Sequence, residues 1–147
     1  MPSADRGKKA ESKLSAYFRQ LSSRMEYIFL RLPDAHGGSA TAKPSDFLFL
    51  HSGLLYVIEC KSTLHNYRLP HGNVDAAQIG RMRRWEMAGA SSWLLVYHEA
   101  LDLWRLRHVD YFLNRIGGSW DFRVDGDDPV TLQNLFKELH EKTNNLK

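Results

Sequence analysis

Apolar residues recur along the first part of the chain at the spacing of one helix face. Ala10, Leu14, Tyr17, Phe18 and Leu21 fall three or four residues apart, so residues 7–24 are predicted to form an amphipathic helix. Residues 25–32 (MEYIFLRL) are rich in strand formers and end at Pro33, which predicts a strand. Residues 34–43 (DAHGGSATAK) hold two glycines and no apolar period, and predict a loop long enough to carry function. Two apolar runs then flank Ser52-Gly53 within residues 46–62 (DFLFLHSGLLYVIECKS), the pattern of a β-hairpin. Both faces of its strands are apolar, so the hairpin is expected to be central in its sheet and covered on both sides.

Beyond the hairpin, residues 65–73 read as a second loop and residues 74–88 as a helix stopped by Gly89. Asp75 and Asp102 are candidate caps of their neighbourhoods. Residues 92–98 and 101–108 read as two more strands, 110–115 as a short helix, 117–128 as a turn-rich loop and 131–141 as a terminal helix. The order α-β-β-β-α-β-β-α predicts an α/β domain with a mixed sheet.

A chain of 147 residues is sized for one domain, with residues 1–6 and 143–147 expected to be flexible ends. Its 43% hydrophobic and 25% charged residues exclude a disordered tail. The apolar runs are too short to cross a bilayer and no signal sequence is apparent, so no membrane partner is expected. The lone cysteine, Cys60, cannot form an internal disulfide, which fits a reducing, cytoplasmic setting. The seven histidines show no zinc-ligand spacing. A net charge of +3 permits a polyanionic partner without requiring one. Its distribution says more: Arg81, Arg83 and Arg84 cluster, and Lys43, Lys61 and Arg68 lie near the hairpin's acidic residues.

The hairpin carries the candidate chemistry. If Ser52-Gly53 is a two-residue turn, Leu50 faces Leu55 and Asp46 faces Glu59, with β-carbons ~5 Å apart. Lys61, two residues on, emerges on the same face ~6.6 Å further along. Two carboxylates so placed repel, and a divalent cation is the natural offset: carboxylates, waters and phosphate oxygens suit Mg²⁺. A lysine beside the metal can polarise the attacking water or stabilise a phosphate. Glu-x-Lys alone is weak evidence, because such pairs are usually exposed ion pairs. Here the three charges end an otherwise apolar ribbon on one face, which favours function.

Asp46, twelve intervening residues and then Glu59-Cys60-Lys61 resemble the signature of the PD-(D/E)xK nuclease superfamily. More narrowly, the chain is similar to the RecU-type Holliday-junction resolvases, with Thr63 after the lysine and a loop-proline-helix stretch in residues 67–82 (YRLPHGNVDAAQIGRM) bearing Gln78-Ile79. The overlap runs over about residues 44–108 and extends weakly to residues 7–11. The resemblance implies a restriction-endonuclease-like core, a central mixed β-sheet flanked by helices. It implies that Asp46, Glu59 and the backbone carbonyl of Cys60 bind metal, with Glu11 as an outer carboxylate. Lys61 would act on water or phosphate, and Gln78 would steady either one from the neighbouring helix. The chain departs from the pattern in spacing Pro44 one place from Asp46, in placing Cys60 where the family has a small residue, and in its length. The family's projecting stalk would have to be the 34–43 loop.

The function expected is therefore Mg²⁺-dependent endonucleolytic hydrolysis of branched DNA, four-way junctions above all, with Mn²⁺ able to substitute. A homodimer is expected because paired cuts on opposed strands need two sites. Lys43, Arg68, Arg81 and Arg84 are the candidate DNA contacts, and the source would be a bacterium or phage. The alternatives are a phage or restriction-type nuclease acting on flaps, single strands or duplex, and a DNA-binding module without the chemistry.

Overall fold

A computed structural model describes residues 3–33, 43–126 and 129–146. Its frame is a five-stranded sheet in the order β1-β2-β3-β5-β6, formed by β1 (Tyr27–Arg31), β2 (Phe47–His51), β3 (Leu54–Thr63), β5 (Ser91–His98) and β6 (Leu103–His108). Only β3 and β5 run parallel, because the helix α2 (Ala76–Met87) lies in the crossover between them. The architecture is α/β with a mixed central sheet, as the residue pattern predicts.

Ser52 (φ 49°) and Gly53 (φ 82°) both turn through the left-handed region, the requirement of the tightest hairpin turn. Glycine meets it freely, and serine accepts it with a two-residue connection as the gain. The register follows: Phe47 pairs with Ile58, Leu48 with Val57 and Leu50 with Leu55, as the turn predicts. β3 is ten residues long against five for β2, so its C-terminal half runs on past the start of β2.

Alternate residues of the strands feed two cores. On one face Phe47, Phe49, Tyr56, Ile58 and Cys60 pack with Ala10, Leu14 and Phe18 of α1 (Ser3–Leu21) and with Leu135 and Leu139 of α3 (Leu135–Asn145). On the other, Val57, Leu94 and Val96 pack with Ile79 and Met82 of α2 and with Phe112 and Phe122. That second cover stops short. Ile28 and Leu30 of β1 are 62% and 56% exposed and Leu50 of β2 is 38% exposed, so the expected two-sided cover of the hairpin holds for β3 and fails at β2. Periodicity registers that a face is apolar, not what lies over it.

Two of the predicted loops contain strands. β4 (Arg68–Pro70) and β7 (Ser119–Asp121) form a separate two-stranded sheet that pairs Leu69 with Trp120, both buried. Three-residue strands are too short to show an alternating pattern, which is why 65–73 and 117–128 read as loops. Asp75 caps α2 as expected, accepting from the Ala77 N–H at 3.0 Å. Asp102 caps no helix: it sits at φ 53° in the β5–β6 turn and accepts from the Tyr97 hydroxyl at 2.6 Å. The short helix is a 3-10 turn at Val109–Leu113. At the chain ends, α1 takes in residues 3–6 and α3 takes in 143–145. Residues 34–42 of the predicted 34–43 loop lie outside the described residues. Among the described residues no helix is long and apolar enough to cross a membrane.

Candidate active site

The overhang of β3 beyond β2 builds the site. Asp46 stands one residue before β2, its carbonyl fixed by the Leu32 N–H at 2.8 Å. Its side chain then replaces the missing strand: Asp46 Oδ2 accepts from the Cys60 N–H at 2.9 Å. A strand residue's N–H and C=O leave on the same side, so the Cys60 carbonyl is directed toward the same edge. Continuing the register places Asp46 against Glu59. Both are buried, at 7% and 5% exposed, which is costly for carboxylates unless something neutral or cationic compensates.

Two lysines compensate in part. Lys61 Nζ lies 3.1 Å from Glu59 Oε2, and Lys43 Nζ lies 3.1 Å from Asp46 Oδ1. Glu59 Oε1 remains buried without a hydrogen-bond partner among the described residues. Glu11 enters from α1 on the opposite side of the sheet from α2, with Arg31 3.9 Å from its Oε2. Burial pushes the Glu59 carboxyl up to about 7; the Asp46 charge adds to this and Lys61 and Lys43 oppose it. Burial likewise pushes Glu11 up to about 7, with the charge of Asp46 and a hydrogen bond to it as further causes. Buried apolar surroundings hold the Cys60 thiol protonated, well above its usual range, and its side chain belongs to the core.

A divalent cation fits this donor set. Hard oxygen donors stand at one strand edge on Asp46 and Glu59, which the register sets opposite each other, and Glu59 Oε1 is buried with no hydrogen-bond partner among the described residues. Glu11, beside Asp46, is placed to take part from outside. A cleft of about 330 Å³ lined by Glu11, Arg31, Leu32 and Pro33 opens next to this edge. The larger cavity, about 660 Å³ between α1 and residues 132–133, is lined by Lys13, Tyr17 and Arg24 and holds no carboxylate.

From the other face α2 grips the approach to Asp46. Gln78 Nε2 donates to the Pro44 carbonyl at 2.7 Å, Arg81 Nε to the Lys43 carbonyl at 3.3 Å, and Arg81 Nη2 to Gln78 Oε1 at 3.3 Å. Both ends of the Gln78 amide are thus engaged within the protein. The structure brings together Glu11, Asp46, Glu59, Lys61 and Lys43, and ties Gln78 and Arg81 to them through residues 43–44. Arg68 on β4 and Arg84 on α2 are exposed. His65 and His71 serve the β4–β7 side: the His65 carbonyl lies 2.7 Å from His98 Nδ1, and the His71 ring rests on Trp120. Sequence reasoning missed Arg31 as a partner of Glu11 and Lys43 as the direct partner of Asp46, since neither contact has a spacing signature.

A second acid-histidine group stands elsewhere, with ligand atoms of Glu86, His108 and Asp110 within 4.8 Å of one another. Each is engaged structurally. Glu86 accepts from the Ser92 N–H at 2.8 Å and bonds His108 Nε2, while Asp110 takes Arg83 at 3.1 Å. The group joins α2 to the end of β6.

The raised carboxyls carry a pH signature. A carboxyl whose folded pKa exceeds its unfolded value is favoured in its neutral form by folding, so its contribution is present at low pH and lost as pH rises. With Glu59 and Glu11 moved from 4.5 to about 7, Tm in chelator is expected to fall between about pH 4.5 and 7. Asp46→Asn removes a shared cause and is expected to flatten that fall. Thermal melts across this range check both statements, and an unchanged slope in the variant would show that Asp46 does not drive the coupling.

No protein-family sequence profile matches the chain, and no curated protein matches it by sequence. Solved structures do. The Archaeoglobus fulgidus Holliday junction resolvase Hjc aligns with a TM-score of 0.61 at 13% identity, covering 88% of this chain and 98% of that one. The bacterial homing endonuclease I-Ssp6803I aligns with a TM-score of 0.50 at 16% identity, covering 81% of this chain and 73% of that one. The likeness to both structures gives this chain a restriction-endonuclease-like fold, a central mixed sheet flanked by helices.

Proposed function

We propose that the chain is a Mg²⁺-dependent endodeoxyribonuclease acting as one nuclease domain, with four-way DNA junctions as its preferred substrate. The observation that carries this reading is the buried pair Asp46 and Glu59 at the overhang of β3, with Lys61 bonded to the second acid. The likeness to a Holliday junction resolvase over most of both chains supports the junction preference.

Asp46, Glu59 and the Cys60 carbonyl would hold the cation, and Glu11 would bind through it or through its water. The bound metal supplies a nucleophilic water at neutral pH and Lewis-acid stabilisation of the phosphate. Lys61, tethered to Glu59, presents its ammonium where charge develops on the phosphate oxygens. Gln78 acts from α2 by fixing the Pro44 carbonyl, two residues before Asp46, and Arg81 fixes Gln78 in turn. Arg68 and Arg84 contribute exposed positive charge to backbone binding. Mn²⁺ is expected to replace Mg²⁺, because both accept the same oxygen ligands.

Cleavage of labelled four-way junctions, flaps, single strands and linear duplex, each with Mg²⁺ and with chelator, tests the reading. Junctions cut in preference, and only with metal, support it; equal cutting of junction and duplex removes the resolvase assignment and leaves the nuclease. The likeness to a homing endonuclease favours the second reading, a nuclease of duplex DNA. A DNA-binding module without chemistry is disfavoured, since it has no reason to bury two repelling acids. The setting proposed is the interior of a bacterial or phage-infected cell.

The chain is further proposed to work as a homodimer, and the uncovered apolar face of Ile28, Leu30 and Leu50 supports a meeting surface beside edge strand β1. Light scattering is expected to give a dimer for the parent chain and a monomer for Ile28→Asp/Leu50→Asp, with Tm little changed. A dimer unaffected by the pair of substitutions would place the interface elsewhere.

A further inference from the structure

We propose that Lys43 is the resident counter-ion of the acidic centre, and that a divalent cation binding Asp46 and Glu59 displaces its ammonium onto the DNA backbone. The inference rests on the metal-dependent nuclease reading and assigns a residue outside the Asp and Glu-x-Lys motif a part in it.

Asp46 stands next to both Glu11 and Glu59, and Lys43 bears on all three carboxylates. It bonds Asp46 Oδ1 at 3.1 Å, and its charge draws down the pKa of both Glu11 and Glu59. Arg31 stands on the Glu11 side and Lys61 on the Glu59 side. Lys43 is thus the amine bonded to the acid that links the other two. A dication held by Asp46 would sit within a few ångströms of that ammonium. Repulsion between a dication and a unit charge at about 4 Å is worth roughly thirtyfold in affinity in bulk water before salt screening and side-chain relaxation reduce it. The two cations therefore exclude one another.

The backbone of the segment stays in place during the exchange. Arg81 holds the Lys43 carbonyl and Gln78 holds the Pro44 carbonyl, so the root of the side chain is fixed. Only the flexible four-carbon stem needs to swing, and the strongly hydrated ammonium it carries suits a phosphate oxygen as a point-charge contact. Lys43 is thus a positioning residue: it holds the Asp46 carboxylate in place, then yields to the metal.

Isothermal calorimetry with Mn²⁺ and no DNA separates this inference from the reading beneath it. Lys43→Met is expected to bind Mn²⁺ about three- to tenfold more tightly than the parent chain, and Lys43→Arg about as tightly as the parent. A parent that binds Mn²⁺ while Lys43→Met binds equally or more weakly overturns the role of Lys43 alone. A parent that takes up no Mn²⁺ overturns the metal-dependent reading itself. A second measurement needs no charge-removing variant. In the parent chain with lysines reductively ¹³C-methylated, the Lys43 resonance, assigned with Lys43→Arg, is expected to move on adding Mg²⁺ toward that of exposed lysines. A resonance that stays in place while the metal binds would refute the exchange.

Discussion

Asp46→Asn is expected to lower the cleavage rate by about a thousandfold or more while leaving the fold intact. The amide keeps the size of the side chain and an oxygen to accept from the Cys60 N–H, so the joint between the start of β2 and the overhang of β3 survives. What it loses is the charge that would hold a dication beside Glu59. The same change relieves repulsion within the acid cluster and weakens the tie between residue 46 and Lys43, two opposed effects. Tm in chelator should accordingly stay within about 5 °C of the parent. Single-turnover cleavage beside a thermal melt reads both quantities. Cleavage within tenfold of the parent would remove Asp46 from the site.

Phe18→Ala carries the largest expected loss of stability, about 3–5 kcal/mol. Phe18 is fully enclosed beneath the sheet, stacked on Phe49 at 4.7 Å between centroids and edge-on to Phe47 at 5.5 Å. Removing the ring leaves a cavity between α1 and β2 that rigid strand neighbours cannot close. For a chain of this length the loss corresponds to roughly 10–15 °C in Tm. Because α1 also carries Glu11, cleavage near the parent's midpoint should fail with the fold. Chemical denaturation gives the free energy directly, and a loss under about 1 kcal/mol would mean that α1 does not pack on this face.

The parts of the fold legible in the sequence are those with a local rule behind them. Ser52-Gly53 set the hairpin register because two positive-φ residues admit one pairing, and that pairing alone brings Asp46 opposite Glu59. Asp75 capping α2 follows from side-chain chemistry within three residues. Glu11 is different: its placement rests on a resemblance, and only the packing of α1 beneath β2 and β3 brings it to Asp46. The Lys43–Asp46 and Gln78–Pro44 contacts are tertiary and have no period to read. The β4–β7 sheet escaped because Leu69 and Trp120 are each the single buried residue of a three-residue strand. The uncovered side of β1 and β2 escaped because an apolar strand face looks the same under a helix as in the open.

Anomalous scattering from crystals grown with Mn²⁺ addresses the site most directly. A peak bonded to carboxylate oxygens of both Asp46 and Glu59, at about 2.0–2.3 Å, is the predicted result. A peak at Glu86, His108 and Asp110 with none at the hairpin edge would contradict it.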